Sequence, residues 1–215
     1  MFRMSFYFLP TTPYQLIFMA IIKHNDQRVG FFIDTQNLYH SAKNLYSDAR
    51  VNFGAMVKNA VGGRKLVRAL AYVISTKTGE ESSFFEALEK IGIETRSKEL
   101  QEFWGGAKKA DWDVGIAVDA IRLAPKLDTV ILATGDGDFI PLVEYLQNQG
   151  CQVEVVSFGK STSGKLKEAA DDFFDLSDDP SAYLIGHSER RSSVSRGTSG
   201  GLKRPERGAR RAVTL

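Results

Sequence analysis

The 215-residue sequence has a single cysteine, Cys151, and only three histidines, His24, His40 and His187, set far apart. One thiol excludes a disulfide framework and a multi-cysteine zinc site. The scattered histidines argue against a His-cluster metal centre. No segment repeats, which excludes solenoids and propellers. A clean apolar run of about 20 residues is missing, so no stable membrane insertion is expected. The apolar stretch 1–22 is broken by Pro10 and Pro13, carries one early Arg3 and lacks a small-residue cleavage site. It makes a poor signal peptide. It reads either as translated upstream sequence ahead of a start at Met19 or as a peripheral anchor. Without a convincing export signal, and with one cysteine, the chain is expected to be cytoplasmic.

What is present suits a folded domain: 43% of residues are hydrophobic and 25% charged. That is enough to bury a core without disulfides or a structural metal. The net charge of +2 hides an asymmetry. Residues 187–215 hold eight Lys and Arg against two Glu, a net of +6, whereas the other 186 residues hold 20 basic and 24 acidic groups, a net of −4. The tail is rich in Ser, Gly and Arg and poor in large apolar residues, so it is expected to be disordered. It serves as a solvated linker or as an electrostatic arm for nucleic acid. The chain thus divides into an N-terminal extension (1–28), one folded domain (29–186) and a basic tail (187–215).

From Val29 onward, strand-like and helix-like segments alternate. VGFFID (29–34) is a short apolar strand, followed by a helix in which Leu38, Ala42 and Leu45 share a face. NFGAMVKNAVG (52–62) is a capped helix, KLVRALAYVIST (65–76) a strand, SSFFEALEKIG (82–92) a helix and IETRSKEL (93–100) a polar edge strand. ADWDVGIAVDAIRLAP (110–125) reads as a long helix with Val114, Ala117, Val118 and Ile121 as its buried stripe. Asp119 then points away from the core, within reach of Arg122. DTVILATGD (128–136) and CQVEVVSF (151–158) are buried strands, FIPLVEYLQNQG (139–150) lies between them as a helix, and SGKLKEAADDFF (163–174) is a last helix. Such alternation predicts an α/β fold: a mainly parallel sheet with helices on both faces. Ligands of such sheets bind beyond the carboxyl ends of the strands.

Two of the most strand-like segments end in acid. VGFFID delivers Asp34, and TVILATGDGDF delivers Asp136 and Asp138. Asp111 and Asp113 open the 110–125 helix. Any one of these, taken alone, reads more readily as a helix cap or turn residue than as a ligand. Together they would repel one another unless a cation balanced them. Oxygen-only ligands suit Mg²⁺ or Mn²⁺ rather than zinc or copper. The chemistry they point to is phosphodiester hydrolysis. Asn37, on the first turn after Asp34, is placed to orient a phosphate or a water, or to act as a cap.

GKSTSGK (159–165) imitates a phosphate-binding P-loop, but Leu166 stands where a Ser or Thr should follow the lysine. Lys160, Ser163 and Lys165 there, with Lys108 and Lys109 after Gly105-Gly106, are basic or hydroxyl-bearing loop residues suited to phosphate contact. Cys151 has no histidine near it in sequence, so thiol catalysis is not expected.

FIDTQNLY (32–39), KKADWDVGIAVDAI (108–121), TGDGDFIPLVEYLQNQG (134–150) and SFGKSTSGKLKEAADDFFDL (157–176) together resemble the LabA-like branch of the NYN-domain family, part of the PIN-like nuclease superfamily. The resemblance runs from Val29 to Leu176. It implies a Rossmann-like PIN/NYN three-layer sandwich with a central sheet of about five strands. It also implies a Mg²⁺- or Mn²⁺-dependent ribonuclease whose site comprises Asp34, Asn37, Asp113, Asp136 and Asp138. The four aspartates would be the metal ligands, with Asp111 an extra acid beside Asp113. RNA is the implied partner, and an edge strand with exposed aromatics would permit a homodimer. The rival readings are a non-catalytic RNA-binding or regulatory module on the same fold, and a phosphohydrolase acting on DNA or a small molecule.

Overall fold

The structure, a computed structural model, describes residues 21–47, 49–75, 82–99, 101–102, 108–109 and 111–186. In chain order the elements are β1 (Arg28–Asp34), α1 (Thr35–Tyr46), β2 (Arg50–Val51), α2 (Phe53–Val61), β3 (Lys65–Ser75), α3 (Ser82–Lys90) and β4 (Glu94–Glu99). The short β5 (Gln101–Glu102) and β6 (Lys108–Lys109) precede α4 (Asp113–Leu123) and β7 (Thr129–Ala133). Then come α5 (Ile140–Asn148), β8 (Gln152–Ser157), α6 (Gly164–Ala169), β9 (Asp172–Asp175), α7 (Pro180–Tyr183) and β10 (Leu184–Ile185).

Six strands form the main sheet in the order β4-β3-β1-β7-β8-β9. Every pairing in it is parallel. The chain builds outward from β1 to β3 and β4, then returns to the other side of β1 and builds β7, β8 and β9. With right-handed crossovers, this reversal puts α1–α3 over one face and α4–α6 over the other. Side-chain alternation then fills two cores. Phe31, Ile33, Ile131 and Val156 face the α1–α3 layer, while Phe32, Leu132, Val153 and Val155 face the α4–α6 layer. Central strands buried on both faces have to be apolar throughout, as VGFFI and TVILA are.

Local signals set the helix ends. The Asn52 side chain accepts from the Ala55 N–H at 3.1 Å, and Gly62 closes α2 in the left-handed region at φ 59°. That conformation suits glycine, which has no Cβ to clash. The stretch before β1 is tied to the sheet. Lys23 Nζ lies 3.0 Å from Glu154 Oε2 and 2.7 Å from Asp172 Oδ2, and Gln27 Nε2 donates to Gln152 Oε1 at 2.9 Å.

Three expectations change. The sheet has six strands rather than about five, because the expected helix at 163–174 ends at Ala169 and Asp172–Asp175 pairs with β8. Phe173 packs into one core and Phe174 into the other, a period of two that a helix cannot supply. Asp171 fixes the switch by accepting from the Val153 N–H at 2.7 Å. On α4 the buried residues are Ile116 and Ala120, and Val114, Val118 and Ile121 are exposed. Asp119 engages Tyr72 and Arg96 instead of Arg122: the Tyr72 hydroxyl donates to it at 3.0 Å, and Arg96 Nε lies 3.7 Å away.

Candidate active site

β1 and β7 are neighbours, with Ile33 opposite Ala133. The next residues, Asp34 and Thr134, therefore leave the sheet side by side. This is also where the strand order reverses, the crevice in which open α/β sheets bind ligands. Asp34 caps α1, its Oδ1 accepting from the Asn37 N–H at 3.1 Å. Thr134 links the two strand ends. Its hydroxyl lies 3.3 Å from Asp34 Oδ2 and accepts from the Asp136 N–H at 3.3 Å. Asp136 in turn accepts from the Asp138 N–H at 3.0 Å, forming the turn into α5.

Asn37 spans the gap from the other side. Its Oδ1 accepts from the Gly135 N–H at 2.8 Å. The amide oxygen thus holds the β7–α5 loop, and only Nδ2 is left to donate to a phosphate. Gly135 is tightly enclosed, since a Cβ there would meet Ser157 Oγ at 3.0 Å and Thr162 Cα at 3.1 Å and its neighbours would have to give way.

Asp113 arrives on α4 from the sheet's other side. It is the first helical residue, and Trp112 occupies the cap position without a side-chain cap bond. Asp113 is therefore not an N-cap. Trp112 anchors this end: its Nε1 donates to the Val73 carbonyl at 2.9 Å and its ring packs on Tyr72 at 5.4 Å. A Cβ at Gly115 would come within 2.5 Å of the Trp112 ring, so glycine lets that anchor lie flat on the helix.

The carboxylates feel one another. Burial pushes Asp34 above the ordinary carboxylate range, against hydrogen bonds from Asn37 and Thr134, and Asp136 raises it further. Burial also raises Asp113, followed by repulsion from Asp34, Asp136, Asp111 and Asp138. After burial, the leading influences on Asp113 are thus all acids, the condition that favours a counter-cation. The donor set is oxygen-only, as Mg²⁺ and Mn²⁺ prefer. Yet among the described residues no three His, Cys, Asp or Glu side chains are disposed to hold one ion together. The acids make an open rim. That still suits a hard cation held by one or two carboxylates, with waters and a substrate phosphate filling the remaining positions.

Of the expected phosphate-contacting residues, Ser163 is brought to the rim. Its backbone N–H donates to the Gly135 carbonyl at 2.9 Å, and its Oγ packs against Gly137. Lys160 and Lys165 flank it, exposed. The P-loop likeness fails structurally. Asp175 Oδ1 accepts from the Gly159 and Ser177 N–H groups, each at 2.8 Å, so an internal carboxylate takes the place an anion would need. The backbone of Lys108 and Lys109 pairs with Glu102 and Gln101, while their side chains lie outside the described residues. So do residues 1–20, Gly105-Gly106 and the tail 187–215. Thr134 and Trp112 went unread in the sequence. The signal for Thr134 was a hydroxyl directly before the GDGD acids, and for Trp112 an aromatic between Asp111 and Asp113. Among the described residues no helix is long and apolar enough to cross a membrane.

Comparison with known proteins agrees with this architecture. A curated relative, the low amplitude and bright protein LabA of Synechococcus elongatus, is 28% identical over 162 residues, covering 70% of this chain and 84% of that protein. The crystal structure of a protein of unknown function from Vibrio parahaemolyticus superposes with a TM-score of 0.68 at 31% identity, covering 77% of this chain and all of the other. The NYN domain profile matches residues 28–178. The chain belongs to the NYN domain family, in its LabA-like branch, and has the PIN-like nuclease fold of that family.

Proposed function

We propose that the protein is a divalent-metal-dependent ribonuclease. What supports this reading is that Thr134 and Asn37 tie the Asp34 end of β1 to the Asp136–Asp138 turn at the switch point of the sheet, with Asp113 at the start of α4 close enough to feel their charge. Asp34 and Asp136 would hold Mg²⁺ or Mn²⁺, with Asp113 and Asp138 completing the shell or positioning the attacking water. When bound, the cation would neutralise charge growing on the phosphorus oxygens and make a water more acidic.

The protein's own groups supply the positioning. Thr134 holds Asp34 and Asp136 at a fixed spacing. Asn37 pins the loop through Gly135 and offers Nδ2 to the phosphate. Ser163, Lys160 and Lys165 on one side, and Lys108 and Lys109 on another, would contact neighbouring phosphates. The basic tail would raise local RNA affinity in a salt-dependent way.

One observation favours a second reading, a binding module without turnover: no three of the described side chains are disposed to share an ion. A labelled RNA of mixed structure, incubated with Mn²⁺, Mg²⁺ or EDTA, separates the two. Wild type yields fragments only with metal, and Asp34→Asn yields none. RNA retained in a gel shift, with no cleavage at any metal concentration, refutes the nuclease.

A further inference from the structure

α4 has an apolar stripe that the described structure leaves partly open to solvent, with Ala117 at its inner edge against the core. Val114, Ala117, Val118 and Ile121 recur at the spacing of one helix face. Val114 is 73% exposed, and Val118 and Ile121 are each 39% exposed. Across from them α5 presents Pro141 and Tyr145, the tyrosine 42% exposed. Between the helices runs a trough of about 380 Å³, with Asp113 and Asp138 among its lining residues. Contiguous exposed apolar surface of this kind marks an interaction site.

The trough's neighbourhood selects its occupant. It is continuous with the acid rim, so a strand whose phosphodiester sits on the acids has its adjacent nucleoside at the trough. The lining offers apolar walls, two aromatic rings (Phe139 and Tyr145, the latter the more exposed) and two carboxylate acceptors, and no Lys or Arg among the described residues. A phosphate would be repelled there. A neutral, flat heterocycle with ring N–H or amino donors fits both the walls and the acceptors. A second copy related by a two-fold axis through this face would set Asp113 and Asp138 against their own images, which like-charge repulsion opposes.

We propose that the trough between α4 and α5 seats an unpaired nucleobase of the RNA strand, next to the bond to be cut. The proposal rests on the ribonuclease reading and adds to it a base subsite beside the acids. A paired base keeps its faces in the stack and cannot enter.

The test uses the full chain and a short oligouridine bearing one photoactivatable thiouridine, with Ca²⁺ replacing Mg²⁺ to suppress turnover. Irradiation of wild type crosslinks the probe to peptides spanning Val114–Ile121 and Pro141–Tyr145, and the same strand annealed to its complement crosslinks to neither. Tyr145→Ala combined with Val114→Gln, both at exposed positions, weakens binding of the single strand about tenfold, the loss expected for one stacked base. Ile91→Ser, in the separate apolar groove near α3, leaves it unchanged. Crosslinks found only elsewhere overturn the trough and leave the nuclease reading intact. No RNA binding of any kind overturns both. An unchanged RNA affinity, with a wild-type dimer lost in the double variant on gel filtration, identifies the face as a protein interface and overturns the proposal.

Discussion

Replacing Glu154 by alanine destabilises the fold more than any surface change. Glu154 sits in the middle of β8, 2% exposed, and meets Arg64, 6% exposed, at the end of α2. Two bonds join them, Arg64 Nη1 to Glu154 Oε1 at 2.5 Å and Nη2 to Oε2 at 3.0 Å. The guanidinium also donates to the carbonyls of Val61 and Ala60, at 2.9 and 2.7 Å. In Glu154→Ala those two carbonyls remain, but the buried charge loses its counter-ion. Breaking one half of a buried pair costs about 3–5 kcal/mol. That is a fifth or more of the roughly 5–15 kcal/mol that holds a domain together. At about 2–4 °C per kcal/mol for a domain of this size, Tm falls by roughly 10 °C. The assay is urea unfolding followed by circular dichroism. The midpoint should drop with an unchanged slope, since the exposed surface is the same. The double variant Arg64→Met with Glu154→Leu removes both charges and recovers most of the loss, because the penalty lies in the unpaired ion. A single-variant cost below about 1 kcal/mol, the range of surface pairs, would refute the reasoning.

Three further outcomes follow from the site. Asp34 and Asp113 both have raised folded-state pKa values, so folding favours their protonated forms. Their contribution is full below the unfolded carboxylate pKa and is lost as pH rises through the folded value. Asp34→Asn keeps the cap on α1 and removes the charge, so it should raise Tm at neutral pH and flatten the decline between acid and neutral pH; a Tm lowered at neutral pH contradicts this. Gly135→Ala pushes a Cβ against Ser157 and Thr162 and should cost about 1–3 kcal/mol, with a larger loss of cleavage than of stability, because Asp136 moves relative to Asp34. Replacing the eight Lys and Arg of 187–215 by Gln should flatten the dependence of RNA affinity on salt; an unchanged slope excludes the tail from binding.

The sheet was legible because its central strands are buried on both faces, and VGFFI and TVILA have to be apolar without interruption. The same strands fixed the positions of Asp34 and Asp136, one residue and three residues beyond their ends. What the sequence hid were competitions between two readings of one segment. AADDFF has helical composition, yet Phe173 and Phe174 pack into opposite cores, which only a strand allows. α4 has two apolar faces, and the larger side chains of Val114, Val118 and Ile121 drew attention from Ile116 and Ala120, which the core takes. Tertiary partners decided that choice: Tyr72 and Arg96 claim Asp119 and fix the rotation of the helix. Asn37 was legible as a polar residue near the acids and Thr134 was not read at all, because their roles as ties between strand ends depend on β1 and β7 being neighbours.

The central claim is that the carboxylate rim is a divalent-cation site. Mn²⁺ titration followed by electron paramagnetic resonance tests it without needing substrate or turnover. The account predicts that wild type removes Mn²⁺ from the free-ion signal, and that Asp34→Asn and Asp136→Asn, still folded by circular dichroism, each weaken binding by about 10–100-fold. Equal Mn²⁺ affinity in wild type and both variants would contradict it.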